Sequence, residues 1–401
     1  MSILVQKFGG TSLQDKETRL YAIEHVQSAV REGYQVVVVV SAMGRSPSPY
    51  ATDSLLALLG ESRKISEKEE DLLLSCGEIL SSVVFSNELQ HQNLQSIAIT
   101  GAKAGMITTN DFTNAKIKTI QQHNIQQLLK EYQVVVVAGF QGQTEDGEVT
   151  TIGRGGSDTS AVALGVALQA DYVDIFTDVE GIMTADPQMV SSAQKRTEMS
   201  YTEICHLAYQ GAKVIHPRAV ELAMQENLLL RVRSTKSNDF GTLIISDEHM
   251  KKKSYDRLIT GIAYMKDVVQ IKIEESKEPQ QIHVNVFRAM AEAGISVDFI
   301  NISPNGVVYT ILSKYEQLAV RILTQLDLRP TVRRNCAKVS IVGAGMSGVP
   351  GVTSKIVQSL TDENIPILQS ADSHTTIWVL IEQQYLEKAV NVLHHTFRLD
   401  E

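Results

Sequence analysis

VVVVV at residues 36–40, together with VVVVA at residues 134–138, decides the fold class of this chain. Neither run alternates with polar residues, so neither has the pattern of a strand with one face in water. Five apolar, mostly β-branched residues predict a strand that is buried on both faces, and such strands belong to parallel sheets covered by helices. The two runs therefore predict a mostly parallel sheet in the first half of the chain.

Short apolar runs and longer helical stretches alternate on both sides of these two strands. We expect further strands at residues 3–5, 97–100 and 173–176, and helices at residues 18–31, 54–59, 69–90, 157–169, 202–210 and 217–226. This order is typical of an α/β fold in which right-handed crossovers place helices on both faces of the sheet. The first domain is predicted to span residues 1–245.

The second half of the chain repeats itself after a polar stretch, residues 246–256, which contains three consecutive lysines and is predicted to be a linker. One constant offset pairs Met290 with Leu360 and Ile295 with Ile365. Each copy reads as strand, helix, strand, strand, helix, which predicts two α+β modules of like fold at residues 257–330 and 331–401. Because such small modules leave sheet edges open, we expect them to pack on one another.

Composition limits the classes of function. The 401 residues carry 37 Lys and Arg against 46 Asp and Glu, and the formal charge of −9 argues against nonspecific binding to nucleic acid or to anionic membranes. The cysteines, Cys76, Cys205 and Cys336, are spaced neither as a disulfide framework nor as a zinc site, so no protein-held metal is expected. We find no signal peptide and no run of about 20 apolar residues, and we expect a cytoplasmic protein without a membrane span.

KFGGTS at residues 7–12, which follows the first expected strand, is the first candidate site. Its glycines allow a phosphate to approach the backbone, the start of a helix favours an anion, and Lys7 supplies a positive charge. The loop lacks the GxxxxGK[ST] pattern of a Walker A motif. A plain strand-to-helix turn explains the same residues about as well.

GRGGSDT at residues 153–159 is the second candidate loop, and it opens another helix. Arg154 can hold a carboxylate with two parallel N–H bonds, and the two glycines after it expose backbone to a small ligand. Asp158 is placed to meet an ammonium or to orient Lys7. A helix with Ser157 or Asp158 as its N-cap is the simpler alternative, but it does not explain an arginine beside two glycines.

A third polar loop comprises TDVEG at residues 177–181 and MTADP at residues 183–187. Open α/β sheets bind ligands at the carboxyl ends of their strands, although the same residues also fit a turn-rich connection. Glu78 lies in the middle of an expected helix between apolar neighbours. A buried carboxylate there needs a partner, and a solvent-facing glutamate is an equal alternative.

GAGMSG at residues 343–348 matches GxGxxG, the phosphate-binding pattern of dinucleotide-binding domains. Too few residues follow it for the paired βαβ units of such a domain, and it falls at a strand-to-helix turn of the second repeated module. A dehydrogenase is therefore the weakest interpretation, and a melting temperature unaffected by NAD(P)H would exclude it.

Taken together and in this order, KFGGTS, SAMG at residues 41–44, GRGGSDT and the loop at residues 177–187, ahead of two repeated modules, resemble aspartokinase over nearly the whole chain. The resemblance is strongest to the short monofunctional bacterial enzymes, in particular the diaminopimelate-sensitive type of spore-forming Gram-positive bacteria. It implies an α/β fold with an amino-acid-kinase-like, mostly parallel sheet sandwiched by helices, followed by two ferredoxin-like α+β ACT modules. Either loop motif alone also fits glutamate 5-kinase or another amino-acid kinase.

The resemblance implies that ATP with Mg²⁺ phosphorylates L-aspartate on its side-chain carboxylate, the first step toward diaminopimelate, lysine, threonine and methionine. The residues implied to contact ATP are Lys7, Phe8, Gly9, Gly10, Ser41, Thr177, Asp178, Met183, Thr184, Ala185, Asp186, Pro187 and Gln188. Those implied to contact aspartate are Thr52, Glu78, Arg154, Gly155, Gly156 and Ser157. The residues implied to be catalytic are Lys7, Arg154, Asp158 and Lys213.

ACT modules further imply feedback regulation by an end-product amino acid and assembly into an oligomer. The residues at which such an effector is expected are Asp298, Asn301, Asn364, Gln369 and Ser370, each of which also fits a polar surface. Met250 fits either an internal start that yields a separate regulatory subunit or an ordinary linker residue. A non-catalytic amino-acid sensor built on ACT modules is the remaining alternative, and it leaves the two loop motifs of the first domain unexplained.

Overall fold

The structure, a computed structural model, describes residues 2–60, 63–212, 214–251, 258–274, 279–304, 306–346 and 348–401. Contacts between residues divide the chain into two compact units. The first unit comprises Met1–Ile182, Lys195–Ala208 and Lys213–Tyr255, and the second comprises Met183–Gln194, Tyr209–Ala212 and Asp256–Glu401. Two short segments of the predicted first domain are thus assigned to the second unit. The bounds of the predicted linker stay a prediction.

The first unit contains a large sheet and a small one. Their strands are β1 (Ile3–Phe8), β2 (Gln35–Val40), β3 (Ser96–Ile99), β4 (Met106–Thr108), β5 (Ile117–Ile120), β6 (Val134–Ala138), β7 (Gln141–Gln143), β8 (Val149–Thr151), β9 (Tyr172–Thr177), β10 (Glu198–Ser200), β11 (Leu230–Ser234) and β12 (Thr242–Ile245). The 8-stranded sheet has the order β10-β12-β11-β9-β1-β2-β6-β3, and the 4-stranded sheet has the order β5-β4-β7-β8.

The two valine runs form adjacent parallel strands in the large sheet. Val36 of β2 lies opposite Val134 of β6, and every valine of both runs is fully buried. The prediction of a mostly parallel sheet buried on both faces is confirmed, with β12 antiparallel to β11 as the exception. Because β9, β1, β2 and β6 are parallel neighbours, their carboxyl ends meet at one edge of the sheet.

Helices flank this sheet. They are α1 (Lys16–Arg31), α2 (Thr52–Ala57), α3 (Glu67–His91), α4 (His123–Glu131), α5 (Gly156–Leu168), α6 (Tyr201–Tyr209), α7 (Pro217–Glu226) and α8 (Asp247–Lys251), the last of which lies inside the predicted linker. A capping box between Ser66 and Glu69 fixes the start of α3. By length and composition α3 is apolar enough to cross a membrane, but half of that stretch is buried, and the helix packs on β3, β6 and β8, as core helices do.

The second unit contains the repeated modules. Its elements are β13 (Gly261–Glu274), α9 (Pro279–Glu292), β14 (Asp298–Ser303), β15 (Gly306–Leu312), α10 (Glu316–Gln325), β16 (Thr331–Val342), α11 (Val352–Asp362), β17 (Gln369–Asp372), β18 (Thr376–Glu382) and α12 (Leu386–Thr396). The strands form one sheet in the order β14-β15-β13-β16-β18-β17, so the first strands of the two modules, β13 and β16, join the copies edge to edge.

The internal repeat is confirmed by the cores of the two modules. Met290 and Ile295 are buried in the core of the first module, and their counterparts Leu360 and Ile365 are buried in the core of the second. The GxGxxG stretch lies at the turn after β16. A Cβ on Gly343 would come within 2.1 Å of the Leu258 carbonyl oxygen, so close backbone packing explains this glycine.

Candidate active site

The loops after β1 and β2 are joined backbone to backbone at the carboxyl edge of the large sheet. Ser41 N donates to Phe8 O (3.1 Å), and Gly44 N donates to Gly10 O (2.9 Å). A Cβ on Gly10 would lie 2.5 Å from Gly44 O and 2.7 Å from Ala42 O, so only glycine permits this approach. This junction brings together the residues expected to hold phosphates, namely Lys7, Phe8, Gly9, Gly10 and Ser41.

Lys7 and Asp158 form an ion pair at this edge. Lys7 Nζ is 2.7 Å from Asp158 Oδ1, and the two side chains are only 13% and 12% exposed. Asp158 Oδ2 also accepts a hydrogen bond from His216 N (3.1 Å). The contact fits the expectation that Asp158 orients Lys7. The Phe8 ring is buried and stacks on Phe176 with centroids 4.6 Å apart, so Phe8 can offer only its backbone to a ligand.

Two glycines in the left-handed region shape the loop around Arg154. Gly153 has φ 77° and Gly155 has φ 70°. A Cβ on Gly155 would lie 2.0 Å from Cγ of His216, so this histidine packs directly on the loop. Arg154 is exposed, and no carboxylate in the described part of the chain pairs with it. Its guanidinium is therefore available to a carboxylate from outside.

The helix that follows begins earlier than the simpler alternative requires. α5 begins at Gly156, with Gly155 as its N-cap residue and no side-chain cap. Ser157 and Asp158 lie inside the first turn, so the interpretation of either as the N-cap is wrong. Both residues are 8% exposed, and the carboxylate of Asp158 is used on Lys7.

Glu78 is buried in α3, so the alternative of a solvent-facing glutamate is wrong. The residue is 2% exposed, and Oε1 accepts a hydrogen bond from Ala42 N (3.0 Å). Oε2 is buried and has no hydrogen-bond partner among the described residues. A Cβ on Gly77 would lie 2.8 Å from Ala42 Cβ, so the helix passes close to the loop after β2. Burial raises the pKa of the Glu78 carboxyl to about 8.

Sequence reasoning misses Phe140, which lies beside these residues. Phe140 is not glycine and yet has φ 65°, a strained conformation that clusters at functional sites. Its N donates to Ser160 Oγ (3.1 Å), and its O accepts from Ile152 N (2.9 Å). A Cβ on Gly156 would lie 2.7 Å from Cδ2 of the Phe140 ring. The only sequence signal is that Phe140 closely follows the second valine run, whose end lies at the ligand-binding edge of the sheet.

Thr177 and Asp178 lie at the same edge, at the end of β9. Thr235 N donates to Thr177 O (3.0 Å), and Thr177 Oγ1 donates to Asp178 Oδ1 (3.1 Å). An exposed ion pair joins Asp178 to Arg45 at 3.8 Å. Thr52, expected near aspartate, is the half-buried first residue of α2. The ligand contacts of these residues stay predictions.

The remaining residues expected to contact the nucleotide belong to the second unit; they are Met183, Thr184, Ala185, Asp186, Pro187 and Gln188. Thr184 is fully buried, with Oγ1 2.8 Å from His394 Nε2. Ala185 is part of the apolar core of the second module, and Asp186 accepts a hydrogen bond from Tyr264 Oη (2.7 Å). The side chains of Thr184 and Ala185 are thus occupied by packing. The nucleotide contacts of this segment stay a prediction, and Lys213 lies outside the described residues.

One cavity of about 210 Å³ lies where the two modules of the second unit meet. Its lining residues are Asp298, Phe299, Ile300, Lys338, Ala371 and Trp378. Lys338, whose side chain is only 4% exposed, forms an ion pair with Asp298. Gln369 links the modules, because it accepts from Gln270 Nε2 (2.8 Å) and donates to Phe299 O (2.6 Å).

The other expected effector residues do not line this cavity. Asn301 and Ser370 are exposed on β14 and β17. Asn364 has φ 56° in the turn after α11, a conformation that asparagine tolerates. Over the described ranges, the structure groups no three His, Cys, Asp or Glu residues that could hold a metal ion.

Comparisons with known proteins agree with this arrangement. A model of the amino acid kinase family matches residues 2–234, and an ACT domain model matches residues 331–395. Aspartokinase 1 of Bacillus subtilis is 57% identical over 402 residues, with 100% of both chains covered. The aspartokinase of Geobacillus stearothermophilus is 39% identical over 408 residues, with 100% of this chain and 98% of the relative covered.

Solved structures give the same result. Escherichia coli aspartokinase III in complex with aspartate and ADP, in its R-state, has a TM-score of 0.80 and 26% sequence identity, with 98% of this chain and 99% of that chain covered. The same enzyme with lysine and aspartate, in its T-state, has a TM-score of 0.78 at 26% identity over the same shares.

Proposed function

The chain belongs to the aspartokinase family of amino acid kinases, and from this premise we propose which of its residues carry out the reaction. An aspartokinase transfers the γ-phosphoryl group of ATP to the side-chain carboxylate of L-aspartate and releases 4-phospho-L-aspartate and ADP. One observation carries the proposal: Arg154, exposed and without an ion-pair partner among the described residues, lies just before α5, and four residues later Asp158 forms an ion pair with Lys7. A cation for a substrate carboxylate and a cation for phosphate are thereby both associated with the start of one helix.

At the substrate end, Arg154 and Glu78 bind the two charges that every α-amino acid carries. Arg154 takes the α-carboxylate through two parallel N–H bonds. Glu78 takes the α-ammonium through Oε2, the buried oxygen that lacks a partner among the described residues. The residues that line the remainder of the substrate pocket are Thr52, Gly155, Gly156 and Ser157. The side-chain carboxylate of aspartate then points toward Lys7.

At the nucleotide end, the joined loops after β1 and β2 hold the phosphates. Their backbone N–H groups and the Lys7 ammonium face the negative charge. Mg²⁺ usually keeps several waters and binds through one or two carboxylates together with substrate phosphates. A site without a cluster of three acidic or histidine side chains among the described residues fits a metal that arrives with ATP. When bound, Mg²⁺ would draw negative charge away from the phosphates.

The chemistry asks for positioning and charge neutralisation. The aspartate side chain has an ordinary pKa of about 3.9, so it is ionised at neutral pH and attacks without a general base. The obstacle is repulsion between this carboxylate and the γ-phosphate. Lys7 forms a largely buried ion pair with Asp158. Its positive charge lowers that repulsion, while the loops keep the two reactants in line. We assign Lys213 the same role toward the phosphates.

Hydroxylamine traps the acyl phosphate, so aspartyl hydroxamate formed from Mg-ATP and aspartate reports the reaction. Lys7→Ala should lower kcat by about 100-fold or more, because the phosphate loses its fixed cation. Arg154→Ala should raise the aspartate KM by about 10- to 100-fold with a smaller change in kcat. The matched controls are Lys16→Ala and Arg31→Ala, which remove exposed cations on α1.

Three results would contradict the residue roles, the substrate or the activity itself. Near-normal turnover of Lys7→Ala would show that another group holds the phosphates. A preference for glutamate over aspartate would move the chain to a different amino-acid kinase. Amino-acid binding without any ATP turnover would leave the non-catalytic ACT sensor as the remaining alternative.

We also propose that an end-product amino acid regulates this enzyme at the second unit. The cavity between the modules supports this, because Asp298 and Lys338 offer it one charge of each sign. Asn301, Asn364 and Ser370 are weaker candidates. The modules would also join chains into an oligomer, with a regulatory subunit that starts near Met250 as a further option. A cytoplasmic location follows from the proposed substrates. Assays with lysine, threonine and diaminopimelate, singly and in pairs, identify the effector.

A further inference from the structure

Asp71 is a fully buried carboxylate on α3, seven residues before Glu78. Seven residues are about two helical turns, so the two side chains lie on the same face of the helix, about 10 Å apart along its axis. Asp71 is 0% exposed. Over the described ranges, no lysine, arginine or histidine forms an ion pair with it. A buried carboxylate without a cation is costly unless hydrogen bonds satisfy it, so its partners indicate what it is for.

Four hydrogen bonds satisfy Asp71, and they come from two separate segments. Thr113 N donates to both carboxylate oxygens, at 3.1 and 3.0 Å. Thr151 donates through its N (2.9 Å) and through Oγ1 (2.5 Å). Burial raises the pKa of the Asp71 carboxyl, and the hydrogen bonds from Thr151 and Thr113 oppose that shift. Asp71 therefore holds two segments, the loop at Thr113 and the end of β8, with one carboxylate.

Both clamped segments lead to the loop that carries Arg154. Thr151 is the last residue of β8, two residues before Gly153. Asn114, next to Thr113, lies against that glycine, since a Cβ on Gly153 would be 2.9 Å from Asn114 Oδ1. The carbonyl of Thr151 in turn accepts a hydrogen bond from Ala115 N (2.9 Å). The Arg154 loop is thus anchored at the segments of Thr113 and Thr151, whose positions are fixed by Asp71.

The next turn of α3 holds a third segment in the same way. Ser75 O accepts a hydrogen bond from Gln141 Nε2 (2.9 Å), which fixes the turn after β6. Asp71, Ser75 and Glu78 occupy positions i, i+4 and i+7, so one face of the helix contacts the segments at Thr113, Thr151 and Gln141 and the loop after β2. A rigid helix sets the distance between the group that takes the α-carboxylate and the group that takes the α-ammonium.

We propose that Asp71 is a positioning residue that holds the Arg154 loop at the distance from Glu78 that an α-amino acid requires. The inference rests on the proposed role of Arg154 as the ligand of the substrate carboxylate. Asp71 does not touch substrate; it acts through Thr113, Thr151 and the loop they frame. Its loss should therefore weaken aspartate binding and leave the nucleotide site alone.

The central test is Asp71→Asn, which keeps the shape and turns an acceptor into a donor that faces the Thr N–H groups. The aspartate KM should rise about 10-fold or more, while kcat and the ATP KM change less than about threefold. Asp111→Asn, an exposed carboxylate in the same loop as Thr113, is the matched control and should leave all three constants unchanged. An unchanged aspartate KM in soluble Asp71→Asn, or an equal loss for aspartate and ATP, would overturn the proposal.

A double-mutant cycle with Arg154→Ala separates positioning from a merely structural role. If Asp71 acts through Arg154, the Asp71→Asn change raises the aspartate KM by less than about threefold once Arg154 is absent. If the KM increase of the double variant equals the product of the increases of the two single variants, Asp71 acts elsewhere and the proposal fails. Should Arg154→Ala itself leave the aspartate KM unchanged, the proposed role of Arg154 fails instead.

If Asp71→Asn does not fold, variants of Thr151 test the positioning role of Asp71. Thr151→Val removes only one of the four hydrogen bonds and should raise the aspartate KM about threefold to tenfold. Thr151→Ser keeps the hydroxyl and should restore the normal value. Equal KM values for the valine and serine variants would overturn the proposal.

Discussion

The burial of Glu78 predicts that aspartate binds more tightly as the pH rises from 6 to 8. In the free enzyme the pKa of this carboxyl is raised by burial to about 8, and Oε2 has no partner among the described residues. The substrate ammonium requires the ionised carboxylate. With a pKa of about 8, the ionised fraction is about 1% at pH 6, about 10% at pH 7 and about 50% at pH 8. Because apparent affinity scales with the competent fraction, the aspartate KM should fall about 50-fold across this range.

The assay is hydroxamate formation at saturating Mg-ATP, with aspartate varied at each pH and with Glu78→Gln as the comparison. The amide cannot titrate, so its aspartate KM should be high and independent of pH between 6 and 8. Burial lowers the pKa of the His216 imidazole, which moves its titration away from pH 8. Glu78→Gln retains His216, so this variant also reports any contribution of the histidine. A flat KM in the wild type, or an equal slope in Glu78→Gln, would refute the reasoning.

The same carboxyl makes an independent statement about stability. The folded pKa of Glu78 is raised above its ordinary value of 4.5, so the folded protein binds more protons than the unfolded chain between pH 4.5 and 8. The contribution of Glu78 to the free energy of unfolding is fully present below pH 4.5 and is lost as the pH rises through 8. Without aspartate, the wild type should therefore lose melting temperature over this window relative to Glu78→Gln. An equal pH dependence of both melting curves would contradict the burial.

Two further predictions concern packing in each unit. Gly10→Ala should raise the ATP KM about tenfold and cost about 1–3 kcal/mol, because a Cβ would lie 2.5 Å from Gly44 O. Gly147→Ala meets open space but has a φ of 85°, so this control also loses some stability and should leave the ATP KM unchanged. An equal ATP KM for both variants would contradict the joined loops. Thr184→Val should destabilise the second unit by about 1–3 kcal/mol in urea unfolding, because it removes the contact with His394, and an unaltered midpoint would contradict it.

Much of the fold could be predicted because its determinants are local or periodic. The composition of the valine runs at residues 36–40 and 134–138 is enough to predict a parallel sheet that is buried on both faces. The sequence repeat predicts the two modules, because pairs such as Met290 and Leu360 occupy equivalent core positions. The small sheet could not be predicted, because β7 is only Gln141–Gln143, a short polar run without any apolar alternation. Its position depends on tertiary contact, since α3 packs on β8.

The site residues also fall into those that a local motif indicates and those that depend on distant contacts. Lys7 and Arg154 stand in glycine-rich loops whose composition indicates an anion site. Glu78 stayed undecided in the sequence, because whether a helical glutamate is buried depends on what packs over it. Asp71 has no motif at all, since its partners lie 42 and 80 residues away in the chain. The contact between Thr184 and His394 spans 210 residues, which is why the segment could be assigned to a nucleotide loop but not to the core of the second unit.

The chemistry and the burial pattern together determine where the pH dependence must appear. The aspartate side-chain carboxylate is already ionised, so the phosphoryl-transfer step has no proton to remove and kcat should be flat from pH 6 to 8. Glu78 binds the other end of the substrate, so its titration changes KM alone. A kinase that used a general base would show the opposite, with kcat rising and KM constant. The separation of the two profiles therefore tests the residue roles and the mechanism in one experiment.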